Sequence, residues 1–213
     1  ISRYLSWALD ASTDVLRILP LAGKMHRNLL VKVLLRLKEH YFVIRRMPCT
    51  ENFGLARKIS PYNFEVEFTA LKELEKVFLP TPKVWGLDTT GKFFGTPVFI
   101  MEYIEGPTLL EVVESNPEEV VNRFAETILE MNQITTAQVP GVVTHLGILE
   151  NAPADSLGWL ENQTKHIDVP DFFMNGFKVL EKEYPCNRPV KAFGNGDLGP
   201  QNFIYTSDGS IVT

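Results

Sequence analysis

The chain has 213 residues, enough for one domain or two small lobes, and it is 45% hydrophobic and 11% aromatic, too apolar for a disordered protein. Its net charge of −5 argues against a nucleic-acid binder, and no uninterrupted apolar run approaches the roughly 18 residues of a membrane span. The charge is uneven: residues 24–58 carry nine Lys or Arg against two acids, and the remainder of the chain is acidic.

Cys49 and Cys186 are far apart and read as free thiols of a reducing, cytoplasmic setting. The four histidines match no metal-binding spacing. The chain opens on Ile1, which reads as a fragment or a processed product, and the charged residues of 1–20 do not suit a signal peptide.

In chain order, residues 5–19 are expected as a helix, with Leu5, Leu9, Leu16 and Leu19 as its apolar positions. Residues 29–37 and 41–46 are β-rich and read as a hairpin turning at Lys38-Glu39-His40. The spacing of Phe64, Phe68, Leu71, Leu74 and Phe78 predicts a helix over 64–78, stopped by Pro80 and Pro82. Strands are expected at 83–87 and 98–104. Thr108-Leu109-Leu110-Glu111 has the pattern of a capping box. Asn116-Pro117 opens a helix running to about Gln133, with Val120, Phe124, Ile128 and Met131 as its core face. Residues 138–158 read as a long loop, and Phe173, Phe177, Leu180 and Tyr184 mark a further helix.

Two constellations carry chemistry. Glu67 shares a helix face with Leu71, Leu74 and Phe78, where a carboxylate is costly unless paired. Arg45 is its natural partner, since strand side chains alternate and Arg46 must then face the other way. A strand cation held by a helix glutamate is how kinase folds orient the group that grips ATP phosphates. Taken alone, a structural salt bridge is the simpler reading.

The second constellation is Asn195-Gly196-Asp197-Leu198-Gly199-Pro200-Gln201-Asn202, between two apolar stretches. Asp197 is placed to accept the proton of an attacking hydroxyl, and Asn202 to give magnesium a neutral oxygen. A surface loop with Asx-turns is the competing reading. Gly23-Lys24-Met25-His26-Arg27-Asn28 suits a phosphate-covering turn but has a single glycine.

Together these motifs resemble the aminoglycoside phosphotransferase family of small-molecule kinases, nearest the branch related to acyl-CoA dehydrogenases. Tyr41 to Pro48 resembles its "YVLRxxP" strand, and Glu65 to Leu74 its "REYxxLxxL" helix. Thr81-Pro82-Lys83-Val84 resembles "VPVPxV", Gly95 to Gly106 resembles "GTPFYVMEYVEG", and Asn195 to Asn202 resembles "HGDLxPGN". The resemblance implies an α+β, bilobal, protein-kinase-like fold. Residues 1–101 would form the sheet-rich, ATP-binding lobe, and 102–213 the hinge and an incomplete helical lobe.

It also implies an ATP- and Mg2+-dependent transfer to a hydroxyl of a small molecule. Asp197 would be the catalytic base and Asn202 a metal ligand. Arg45, oriented by Glu67, would hold phosphate, Met101 would be the gatekeeper, and the backbones of Glu102 and Ile104 would hold adenine.

The departures are specific. Asn195 stands where the family has histidine, and Asn132 replaces another histidine. Eleven residues follow Asn202, so the family's "IDWE" metal aspartate is expected beyond Thr213. A non-catalytic pseudokinase is therefore the runner-up, followed by an α+β interaction domain without nucleotide.

Overall fold

A computed structural model describes residues 1–21, 27–47, 64–77, 79–146, 193–194 and 198–213, together with 175–176, 178–179 and 182. Helix α1 (Ser2–Leu9) stops at Asp10, which adopts a left-handed conformation (φ 48°). The chain then enters strand β1 (Thr13–Leu21), so the helix expected over 5–19 is corrected to a helix followed by a strand. Leu16 and Leu19, taken as helical core positions, are exposed on β1. β-Branched Thr13, Val15 and Ile18 favour the extended form.

Strands β2 (Arg27–Leu35) and β3 (Lys38–Arg46) form the expected hairpin, but the turn is Arg36-Leu37 rather than residues 38–40. Both turn residues have positive φ, 50° and 65°, which matches the twist of a two-residue hairpin. Neither is the glycine or asparagine that this geometry favours. Helix α2 (Phe64–Leu74), β4 (Val84–Asp88) and β5 (Val98–Glu102) fall close to their expected places. The five strands make one antiparallel sheet in the order β1-β2-β3-β5-β4.

Alternation along β2, β3 and β5 divides this sheet. One face buries Val31, Val33, Phe42, Ile44, Val98 and Ile100 beneath α1, whose Tyr4 and Leu5 are fully buried. The other carries Phe99, packed edge-on against Phe64 and Phe68 of α2 at 5.2 and 5.7 Å.

The rest of the described chain is mainly helical. Helix α3 (Leu109–Val112) begins at the expected capping box: Glu111 accepts hydrogen bonds from the Thr108 N–H and hydroxyl at 2.7 and 2.9 Å. Those bonds hold the Glu111 carboxyl below its usual pKa. Helix α4 (Pro117–Asn132) has Pro117 in its first turn, and the Asn116 side chain bonds Glu119 instead of a backbone N–H. Helix α5 (Pro140–Leu146) corrects the loop expected from residue 138. Residues 147–158 of that loop, Cys49, Cys186 and the four apolar markers between 173 and 184 lie outside the described residues.

A three-residue 3-10 turn (Pro200–Asn202) leads into the short antiparallel pair β6 (Ile204–Tyr205) and β7 (Ile211–Val212). Leu74, Leu79, Leu109, Val120, Met131, Val142, Phe203 and Ile211 share one core. Among the described residues, no helix is long and apolar enough to cross a membrane.

Gly86 in β4 has φ 58°, and a Cβ there would sit 2.1 Å from the Ala8 Cβ of α1. Tyr4 donates its hydroxyl to the Gly86 carbonyl at 2.7 Å, sealing the contact. Gly86→Ala is expected to destabilise by about 3 kcal/mol, from left-handed strain plus overpacking. Gly95→Ala, with φ 72° and open space around it, should lose about 1–2 kcal/mol, the strain alone. Leu37→Gly should instead stabilise by about 1 kcal/mol, because Leu37 is 91% exposed at positive φ. Urea unfolding of the three variants checks these values.

Candidate functional site

Directly paired residues of an antiparallel sheet share a face, so the register lays out the face that α2 covers only in part. Leu19, Leu30, Val43, Met101 and Val84 form one row across all five strands. Leu21, Asn28, Arg45 and Phe99 form the next. Arg45 and Met101 thus lie two residues apart in the ladder on one face, beside Leu30 and Val43. The last two were not singled out from sequence. The register of the two β-rich runs was the signal that exposes them, and the misplaced turn obscured it.

Arg45 meets Glu67 as expected, with Nε 2.7 Å from Oε1. Their side chains are 22% and 17% exposed, so the pair is largely shielded from water. Nε nevertheless lacks a well-aligned hydrogen bond, so charge carries the contact more than directionality. Burial pushes the Glu67 carboxyl above its usual pKa, and the nearby Arg45 charge opposes that rise without cancelling it. Arg46 takes the opposite face, as alternation requires, with its guanidinium 4.9 Å from the Phe94 ring centre.

Helix α2 is anchored at its far end as well. Glu73 accepts hydrogen bonds from the backbone N–H groups of Gly141 and Val142 at 2.7 and 3.1 Å, in the first turn of α5. A Cβ on Gly141 would fall 2.9 Å from the Glu73 Oε1 and 2.7 Å from Thr69. The helix bearing Glu67 is thereby tied both to the sheet and to the helical part of the molecule.

Met101 packs beside Phe64, Val84 and Phe99. The Glu102 N–H donates to the Lys83 carbonyl at 2.8 Å, and half-buried Ile104 follows the strand. Asn202 closes the 3-10 turn, its backbone N–H donating to the Gly199 carbonyl at 2.9 Å. The next residue, Phe203, is fully buried, with its ring 4.8 Å from Phe124.

The Phe203 carbonyl accepts from the Leu109 N–H at 2.9 Å, and the Tyr205 N–H donates to the Pro107 carbonyl at 2.8 Å. These bonds pin the chain after Asn202 to the segment just beyond Ile104. Asp197 and Asn195, and the turn at 23–26, lie outside the described residues. Among the described residues, no cluster of three or more His, Cys, Asp or Glu is placed to hold a metal ion.

No protein-family model matches the sequence, and no curated protein matches it. A solved structure does: a Ralstonia eutropha protein provisionally named an aminoglycoside phosphotransferase, with a TM-score of 0.63 at 14% identity. The match covers 93% of this chain and 57% of that protein, so the chain spans a little over half its length. At this identity the likeness is one of fold. The five-stranded antiparallel sheet with its helices is the α+β, kinase-like architecture of that neighbour.

The charge state of Glu67 gives a signed prediction. A carboxyl whose folded pKa is raised favours the folded state below its unfolded pKa, and that contribution is lost as pH rises through the folded value. The stability of the wild type relative to Glu67→Gln should therefore fall as pH rises above about 4.5 and then level off. Urea unfolding at stepped pH measures it. A difference that grows with pH would mean that Arg45 outweighs burial.

Proposed function

We propose that this chain belongs to an ATP- and magnesium-dependent phosphotransferase acting on a hydroxyl of a small molecule. The observation that carries the reading is the Arg45–Glu67 pair, 2.7 Å apart on the α2 face of a sheet whose fold matches a named phosphotransferase. In this reading residues 1–101 are the nucleotide-binding lobe, and 102–213 hold the hinge and catalytic loop. A cytoplasmic location fits the two separated cysteines.

The residues divide the work. Arg45 holds phosphate oxygens, and Glu67 keeps its guanidinium from folding away. Met101, with Leu30 and Val43, gives the nucleobase an apolar seat, and the backbones of Glu102 and Ile104 supply its polar edge. Asp197 accepts the proton of the acceptor hydroxyl and aims its oxygen. The Asn202 amide oxygen is a hard ligand on an exposed turn, which suits a magnesium ion held mostly by phosphate and water. When bound, ATP supplies the phosphoryl group and magnesium offsets its charge.

A second reading, a nucleotide-binding module without turnover, is favoured by Asn195 at the position of the family histidine.

Thermal unfolding with MgATP tests both. A ligand bound only by the native state must stabilise it, by about 2.7 kcal/mol at a hundredfold excess over Kd. We expect ATP to raise the wild-type Tm and Arg45→Ala to abolish most of that rise. Asp197→Ala should keep the ATP shift while lowering phosphoryl transfer at least about a hundredfold. Wild-type binding without transfer to any hydroxyl acceptor would select the second reading. An absent ATP shift would remove both.

A further inference from the structure

Helix α2 is bound to the sheet at several points. Glu67 meets Arg45, and Phe64 and Phe68 pack on Phe99. Glu75, just past the helix, accepts from the Val84 N–H of β4 at 3.1 Å. The helix therefore belongs mechanically with the sheet, and the helical part of the molecule is held against it at Glu73. That residue lies about 9 Å along the axis from Glu67 and on another face.

Each Glu73 carboxylate oxygen takes one backbone N–H, from Gly141 and from Val142. A carboxylate gripped by two donors fixes direction as well as distance, because tilting or sliding α5 weakens the bonds. Leu74 packs at the same junction, but an apolar contact tolerates sliding. Thr213 also bonds the Pro80 carbonyl across it, through one N–H, which sets a distance and not an angle. Gly141 permits the close approach, since a Cβ there would meet both Thr69 and Glu73.

The core that Leu74 shares with Val142 also contains Phe203, which directly follows Asn202. Helix α2 thus reaches from the Arg45 cation at one end to the packing beneath the Asn202 turn at the other. We propose that Glu73 is a positioning residue: by clamping the first turn of α5 it sets the separation between Arg45 and the Asn202 turn, so that one magnesium-bound nucleotide engages both. This rests on the reading of the sheet face as a nucleotide site and of Asn202 as a metal ligand.

The test is calorimetric titration with ATP, once with magnesium and once with a chelator. The ratio of the two Kd values is the metal gain. Wild type is compared with Glu73→Gln, Gly141→Ala, Asn202→Ala and Gly86→Ala. Glu73→Gln presents an –NH2 to one of the two N–H groups. Gly141→Ala drives a methyl between α5 and α2 and leaves every hydrogen-bonding group in place. Both should keep the metal-free affinity within about twofold and cut the metal gain about tenfold, the size of one hydrogen bond to a charged group. Phosphoryl transfer, where wild type performs it, should fall about a hundredfold, as for a misplacement near 1 Å. Asn202→Ala should lose the metal gain outright. Gly86→Ala, which lowers stability at the α1 face, should leave it intact.

A metal gain unchanged in both Glu73→Gln and Gly141→Ala would overturn this assignment and leave the nucleotide reading standing. An equal drop in Gly86→Ala would overturn it by making the effect one of stability. A parallel loss of metal-free affinity would overturn it by placing the disturbance at Arg45. A wild type whose ATP affinity ignores magnesium, or an Asn202→Ala protein that keeps the whole gain, would remove the metal role of Asn202 and this assignment with it. A wild type that binds no ATP removes the nucleotide reading as well.

Discussion

A guanidinium and a carboxylate, 2.7 Å apart and mostly hidden from water, fix helix α2 against the sheet. Desolvating both charges offsets much of their attraction, so the pair is weak evidence for stability. The raised Glu67 pKa says the same, since burial outweighs the pull of Arg45 on that carboxyl. What the pair does secure is orientation. Phe64 and Phe68 set the helix on Phe99 but allow sliding, whereas an ion pair specifies one rotation of the helix about its axis. An apolar contact would pack the helix equally well but would not specify that rotation.

Alternation along β3 and β5 then sorts the remaining residues. Phe42, Ile44, Val98 and Ile100 go beneath α1, while Val43, Arg45, Phe99 and Met101 go toward α2. One side of the sheet is closed by a helix and an aromatic cluster of Tyr4, Phe93 and Phe94. Among the described residues, α2 covers the other only in part, and that face combines apolar Leu30, Val43 and Met101 with polar Asn28 and Arg45. Because the sheet is antiparallel throughout, a one-residue slip of β3 would move Arg45 to the wrong side, so the hairpin register is itself part of the site.

Much of this was legible in the chain. The apolar stripe of α2 located Glu67, and alternation alone predicted that Arg45 and not Arg46 would meet it. The Thr108–Glu111 box was visible because both partners are three residues apart. The misses share a cause. Leu5, Leu9, Leu16 and Leu19 fit a helical spacing, yet the last two are exposed, and β1 exists because β2 offers it a ladder of backbone partners. The turn at Arg36-Leu37 has none of the residues that normally mark positive φ. Helix α5 reads as loop because its first N–H groups are satisfied by Glu73, far away in the chain. In each case the deciding interaction is non-local, and a window of neighbouring residues does not contain it. Leu30 and Val43 belong to the same class, since their relation to Arg45 appears once the register is known.

The seat that Glu73 provides for α5 also bears on how the molecule can be divided. Leu74 and Leu79 precede β4 in sequence, yet they are buried with Leu109, Met131 and Phe203. The backbone N–H of Thr213 likewise donates to the Pro80 carbonyl. A polypeptide started just after β5 would carry α5 with a bare first turn and a core lacking two leucines. The sheet-rich and helical stretches are successive in the chain, but folding is shared between them. Swapping either stretch between relatives would therefore have to move the residues around Glu73 and Gly141 as a matched set.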